Sequence, residues 1–410
     1  MRKLWNRFTE MIGRAPRWAV VTGKVIASLV IVMLIYITAS GISPVYDFRE
    51  PTPFSGPDIF NPYRNVDTTY GWKRAALHTH SKVEGILNEC DFTPEQIRDE
   101  YLNYGYEVVH FSNHNEHTQH PTEGEVKIYE HGYNLSKLHV HVYGSEGINI
   151  FDCFMPLFDF QRQFKLDMLA KGADLVQLNH PRRTKGIDKE TIQRLGGYQV
   201  MELSGIIEEE QREWDWALSA GRYSFGIYTD DMHFLDRTAA VARRSTMLNT
   251  PSESYNDVVA TLRDGAYYSL YTPDYGEGDK EIKRVMNLTI PRIRTIGESD
   301  GNIYVSFTEA ADSIRFTGQD CKLLHVVYNS DTASYAMHDE DSYARITAYF
   351  ADGERIYTNP FARYDAEQMA SPMEVEQYSI NITLTIIYNI VVLAIVVALG
   401  YALYKLIRRW

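Results

Sequence analysis

Two long apolar stretches, one near each end, constrain this 410-residue chain more than any other feature. From Trp18 to Ile42 the only charge is Lys24, near the edge of the run, where a long stem can carry its ammonium group outward. From Ile380 to Tyr404 there is no charge. Each run exceeds the ~20 residues that a spanning helix needs. The first is long for a signal-peptide core and no small-residue cleavage site after it is convincing, so it reads as a retained anchor, the alternative being a cleaved signal. Basic residues gather outside both runs: Arg2, Lys3, Arg7, Arg14 and Arg17 before the first, Lys405, Arg408 and Arg409 after the second. By the positive-inside rule, both termini are expected in the cytoplasm and the residues between the anchors outside it, at the cell membrane.

The net charge of −13 conceals an uneven distribution. Without the basic ends, 32 Lys and Arg face 53 Asp and Glu, a net of −21. So acidic a body excludes nucleic acid as a partner, since binding a phosphate backbone takes a basic face. Hydrophobic content of 44% with 23% charge is that of folded protein. Cys90, Cys153 and Cys321 are too few and too scattered for a disulfide framework, and no pairing is assigned.

Five prolines between Gly41 and Tyr63 predict an extended linker over residues 43–70. From residue 71 to 278 the chain repeats one grammar of helix, glycine stop and strand. Thr93-Pro94-Glu95-Gln96 reads as an N-cap, a first-turn proline and a capping-box glutamine. Gly105 then ends that helix, and a strand follows at 107–111. Helices at 164–171, 208–220 and 255–263 are each followed by a glycine (Gly172, Gly221, Gly265) and a strand. Such alternation predicts an α/β domain with a largely parallel sheet. Residues 279–365 change to short alternating strands with no helix among them, as in Ser342–Phe350 before the Asp352-Gly353 turn, and read as a small β-sandwich. A linker at 366–379 leads to the second anchor and basic tail at 380–410, matching the tail and anchor at 1–42.

Four motifs end predicted strands of the α/β region. In Leu77-His78-Thr79-His80, residues two apart point to one side of a strand, so both imidazoles can meet one cation. Ser112-Asn113-His114, Asn179-His180-Pro181 and Thr229-Asp230-Asp231-Met232-His233 follow three further strands. Functional side chains of alternating α/β folds gather at the C-terminal ends of strands, so four histidine-bearing motifs there predict a shared metal site.

These motifs, in this order and spacing, resemble the PHP (polymerase and histidinol phosphatase) superfamily of metal-dependent phosphoesterases over residues 72 to about 275. The β-rich tail closing on Tyr357-Thr358-Asn359-Pro360-Phe361 resembles the accessory sandwich of the branch that includes carbaryl hydrolase. The resemblance implies a distorted (βα)7 barrel holding two or three Zn, Mn or Fe ions. It implies that His78 and His80 bind one metal with Asp231, while His114, His180 and His233 serve its neighbours. A metal-bridging glutamate is implied between the second and third motifs. Glu130, ending the short strand 126–129, is the choice over Glu146 in Gly144-Ser145-Glu146-Gly147. The acidic residue expected soon after the first histidine pair is not cleanly placed: Glu84 is early and Asp91 late. Asn113 stands where the family has aspartate, and Glu202 corresponds to a pocket-edge carboxylate.

The expected activity is hydrolysis of phosphate mono- or diesters, on a small molecule, a lipid or an envelope polymer. Asp231 and His233 serve the chemistry, and Arg182, with Arg183 beside it, opposes phosphate oxygens through forked hydrogen bonds. The alternatives are hydrolysis of a carbamate, ester or amide by the same centre, and a non-catalytic surface binding protein on the same scaffold.

Overall fold

The helices of the alternating region begin on side chains that accept a backbone N–H. The Thr93 hydroxyl accepts from Gln96 in a complete capping box with Pro94 in the first turn, Asp188 accepts from Thr191, and Ser254 accepts from Asp257. The computed structural model describes residues 16–84, 88–203 and 211–408. The basic tails at 1–15 and 409–410, and the start of the helix expected at 208–220, lie outside the described residues.

The chain forms two compact units. The smaller comprises Met1–Asp47, Asp152–Phe164 and Ile380–Trp410. It holds two helices, Arg17–Ser40 and Ile382–Arg408, both long and apolar enough to cross a bilayer. Polar groups tie them together near the end of the first and the start of the second. Asn389 and Ser43 exchange two hydrogen bonds, the Val45 N–H donates to Thr385 Oγ1, and the Tyr388 hydroxyl donates to the Gly41 carbonyl.

The larger unit, Phe48–Phe151 and Lys165–Ser379, is mixed α/β. One sheet has five strands in the order Phe225–Ile227, Val200–Glu202, Leu175–Leu178, Val140–Tyr143, Ile128–His131. The first three are parallel. Ile128–His131 and Val140–Tyr143 are antiparallel to each other, joined by a short loop with no crossover helix, and Val140–Tyr143 is also antiparallel to Leu175–Leu178. The expected parallel sheet is therefore mixed.

A second sheet of eleven strands contains Val108–Val109, Lys73–Ala76, Arg244–Leu248 and Tyr267–Tyr271, and then runs on through Arg355–Thr358 and Tyr343–Tyr349 into the C-terminal strands. The β-rich region is thus hydrogen-bonded edge to edge with the α/β region, through the pairing of Tyr268–Tyr271 with Thr358–Arg355, and does not stand apart as a sandwich. Period-two alternation lets one strand serve both cores: Tyr267 and Tyr271 enter one, Tyr268 and Leu270 the other. A helix absent from the sequence expectation, Lys280–Leu288, joins the two regions. The proline-rich segment is no free linker either, since Phe54, Phe60 and Tyr63 are buried and Asp58–Phe60 pairs with Phe361–Tyr364.

Two single-residue parallel bridges join the sheets at strand ends, Thr79 to Met232 and His114 to Glu130. The His80 N–H donates to the Met232 carbonyl (2.9 Å) and the Asn115 N–H to the Glu130 carbonyl (2.9 Å).

Candidate metal centre

Those bridges fall within the histidine motifs, so the backbone itself draws the motifs together. Five of the seven expected ligands, His78, His80, His114, His180 and His233, surround the other two, the carboxylates of Glu130 and Asp231. One Glu130 oxygen lies 3.4 Å from His78 Nε2, 3.4 Å from His80 Nε2 and 3.1 Å from His114 Nε2. The other lies 3.4 Å from His180 Nε2. Asp231 Oδ1 is 3.0 Å from His78 Nε2, 3.4 Å from His80 Nε2 and 3.6 Å from His233 Nδ1. Two of these positions are backbone-strained: His180 has φ 25° and Asp231 φ 52°, both in the left-handed region that side-chain-bearing residues avoid.

Supporting contacts fix which imidazole nitrogen faces inward. His78 Nδ1 lies 3.2 Å from Glu202, which also accepts from the His180 N–H (3.0 Å) and the Thr229 hydroxyl (2.7 Å). His233 Nδ1 lies 2.9 Å from the Asp231 carbonyl, nearer than its 3.6 Å to the Asp231 carboxylate, and leaves Nε2 toward Glu89 at 3.8 Å. A metal-binding histidine is typically oriented this way by its other nitrogen. Glu202 thus sits behind His78, on the ring nitrogen that faces away from Glu130 and Asp231.

Crowding of donors tests whether a cation fits. His78 Nε2 and His80 Nε2 are 3.3 Å apart, and both face the same carboxylate oxygens. Two neutral imidazoles cannot both present lone pairs to each other at that distance without a proton or a cation between them. Without a metal the groups share protons instead. Burial alone would lower the His80 pKa, but Asp231 and Glu130 outweigh it and raise it to about 9. His78 is likewise raised, its burial overcome by Asp231, Glu130 and Glu202. Burial favours a protonated Glu130, yet His78, His139 and His180 hold it well below the usual carboxylate range. His114 goes the other way, with burial pushing it down to about 4. Combinations such as His78, His80 and Glu130, or His80, Asp231 and His233, place their donor atoms within 4.8 Å of one another, and the His and carboxylate set suits a divalent transition metal.

The remaining expected site residues separate cleanly. Glu146 is exposed and paired with Lys127, outside the cluster. Glu84 is exposed, and the acidic residue that reaches the site from this stretch is Glu89, 3.2 Å from His114. Arg182 is exposed and lines a neighbouring cavity, whereas Arg183 contacts the Asp231 carboxylate directly. Asp230 is structural: it accepts the backbone N–H groups of Ala242, Arg243 and Arg244 and the Tyr101 hydroxyl. Two further histidines belong to the cluster. His139 Nδ1 lies 3.1 Å from Glu130, and the buried His141 ring packs 4.1 Å from that of His78. A cavity of about 280 Å³ opens onto Glu89, His114, Glu130, His180, Asp231 and His233, with Lys137 and Arg183 also in its walls.

No protein-family model matches the chain, and no curated protein matches it significantly. Among solved structures it is similar to a two-domain protein containing a predicted PHP-like metal-dependent phosphoesterase, from Bacteroides vulgatus ATCC 8482. That likeness has 14% sequence identity and a TM-score of 0.37, and covers 77% of this chain and 100% of the other.

Proposed function

We propose that this chain is a membrane-anchored, metal-dependent phosphoesterase of the PHP type, acting on phosphate mono- or diesters outside the cytoplasm. The observation that carries the reading is the convergence of five motif histidines on Glu130 and Asp231 from separate strand ends. The two bridges between the sheets support reading the seven strands from Lys73–Ala76 to Phe225–Ile227 as one closed, distorted barrel around that cluster.

In this reading His78, His80 and Asp231 would hold one divalent ion together with Glu130, and His114, His180 and His233 would serve neighbouring ions. Bound there, such ions supply a water activated near neutral pH and positive charge against phosphoryl oxygens. Arg183 and Lys137 in the cavity wall bind the anionic oxygens of the substrate, with Arg183 oriented by Asp231. Those cations favour a phosphate over a neutral carbamate, ester or amide. The two apolar helices hold the chain at the bilayer, which suits lipid-linked or envelope phosphate substrates.

The test is elemental analysis of the full-length chain and its Asp231→Asn variant, with rates on nitrophenyl phosphate and nitrophenyl ester panels. Asparagine tolerates the positive φ at this position, so loss of function reports on the carboxylate. We expect the variant to lose bound metal together with at least about a hundredfold in phosphatase rate. Turnover of esters alone would move the assignment to carboxyl or carbamoyl chemistry. Absence of both metal and turnover in the parent chain would leave a binding protein.

A further inference from the structure

We infer that residues 153–158 form an apolar wedge that enters the lipid surface beside the two helices. This rests on the reading that Arg17–Ser40 and Ile382–Arg408 span a bilayer. Cys153-Phe154-Met155-Pro156-Leu157-Phe158 carries no charge, and it lies within the unit that contains both helices. Leu157 is 63% exposed and Phe158 48%, too much apolar surface for a loop whose only neighbour is water.

The wedge is fixed in place by named contacts. The Phe154 N–H donates to Ser40 Oγ (3.2 Å). Gln161 donates through Nε2 to the Gly41 carbonyl and the Tyr388 hydroxyl, while its Oε1 receives the Leu157 and Phe158 N–H groups. Three backbone N–H groups of the loop, those of Phe154, Leu157 and Phe158, and the carbonyl of Pro156, which accepts from Arg162, are thereby paired, which lowers the cost of entering lipid.

Its depth follows from the partners. The Phe154 ring packs 5.6 Å from that of Tyr36, four residues before Ser40 and so about 6 Å further along the helix into the apolar run. The Phe160 ring packs 5.0 Å from that of Tyr388, and the Phe158 ring 6.4 Å. Aromatic rings at this level, beside the polar ties of Ser43, Thr385 and Asn389, form the belt that favours a membrane interface. The layer it enters is that of the outer headgroups and upper acyl chains.

The test places a fluorescent nitrobenzoxadiazole probe on full-length chains in phosphatidylcholine and phosphatidylglycerol nanodiscs. Cys90 and Cys153 are buried, so Cys321→Ser provides the labelling background. The probe goes in turn on Leu157→Cys, on Leu393→Cys in the second helix and on Tyr328→Cys, an exposed strand residue. Leu157 and Leu393 probes are expected to be quenched severalfold more by shallow doxyl-labelled lipid than by aqueous iodide, with the order reversed at Tyr328. Phe158→Cys replaces Leu157→Cys if that chain does not fold. Iodide quenching at 157 and 158 with lipid quenching at 393 would overturn the wedge and leave the spanning helices standing. Iodide quenching at 393 would overturn both.

Discussion

At the scale of single residues, adjacent or similar side chains divide their duties by where the backbone points them. Asp230 is consumed by three amides, while its neighbour Asp231, held at positive φ, faces the imidazoles. Glu202 meets the centre through the His78 ring and the His180 backbone N–H. We therefore expect Glu202→Gln to fold and to weaken divalent-metal affinity by about 10–100-fold, read by competition with a chromophoric chelator. The histidines of the four motifs were legible because each follows a strand-like run. His139 and His141 share the two-residue spacing of His78 and His80, a signal that the apolar setting of Leu138 and Val140 concealed. Glu89 lies in an irregular stretch with no period, and nothing local told its carboxylate from Glu84 or Asp91.

At the scale of elements, punctuation was the most readable signal. Gly265 ends the helix Tyr255–Asp264 at φ 85°, and a Cβ there would lie 2.3 Å from the Phe225 ring. Gly265→Ala is accordingly expected to destabilise the fold by about 2 kcal/mol or more, seen as a lowered thermal midpoint with helicity otherwise retained. Elements without punctuation were harder to read. Within the region expected to hold short strands, Asn302–Gly318 is one long strand, whose pairing register slips between Ser306 and Ala311. That irregularity interrupts the alternation without ending the strand. The helix Lys280–Leu288 escaped because, of its nine residues, only Lys283 and Asn287 are buried, and neither is apolar.

At the scale of the larger unit, the change from the α/β region to the β-rich region was legible only as a change of period. What the sequence could not display is that the two share strand edges and a buried ion pair. Arg345 and Asp215 meet at 2.5 Å with both side chains buried, tying Tyr343–Tyr349 to the helix Arg212–Ser219. Removing one partner, as in Asp215→Ala, should cost about 3–5 kcal/mol by leaving a charge stranded, and Asp215→Ala with Arg345→Met should recover much of it. Chemical denaturation of the three variants checks both outcomes.

The paired bridges at Thr79–Met232 and His114–Glu130 carry a mechanical corollary. Each sheet brings part of the donor set, so a captured ion would act as a rivet across a seam where the two backbone bridges also lie. Stripping it with a chelator would then loosen the scaffold as well as silence any chemistry, and proteolytic nicking would start at the loops flanking those two joints.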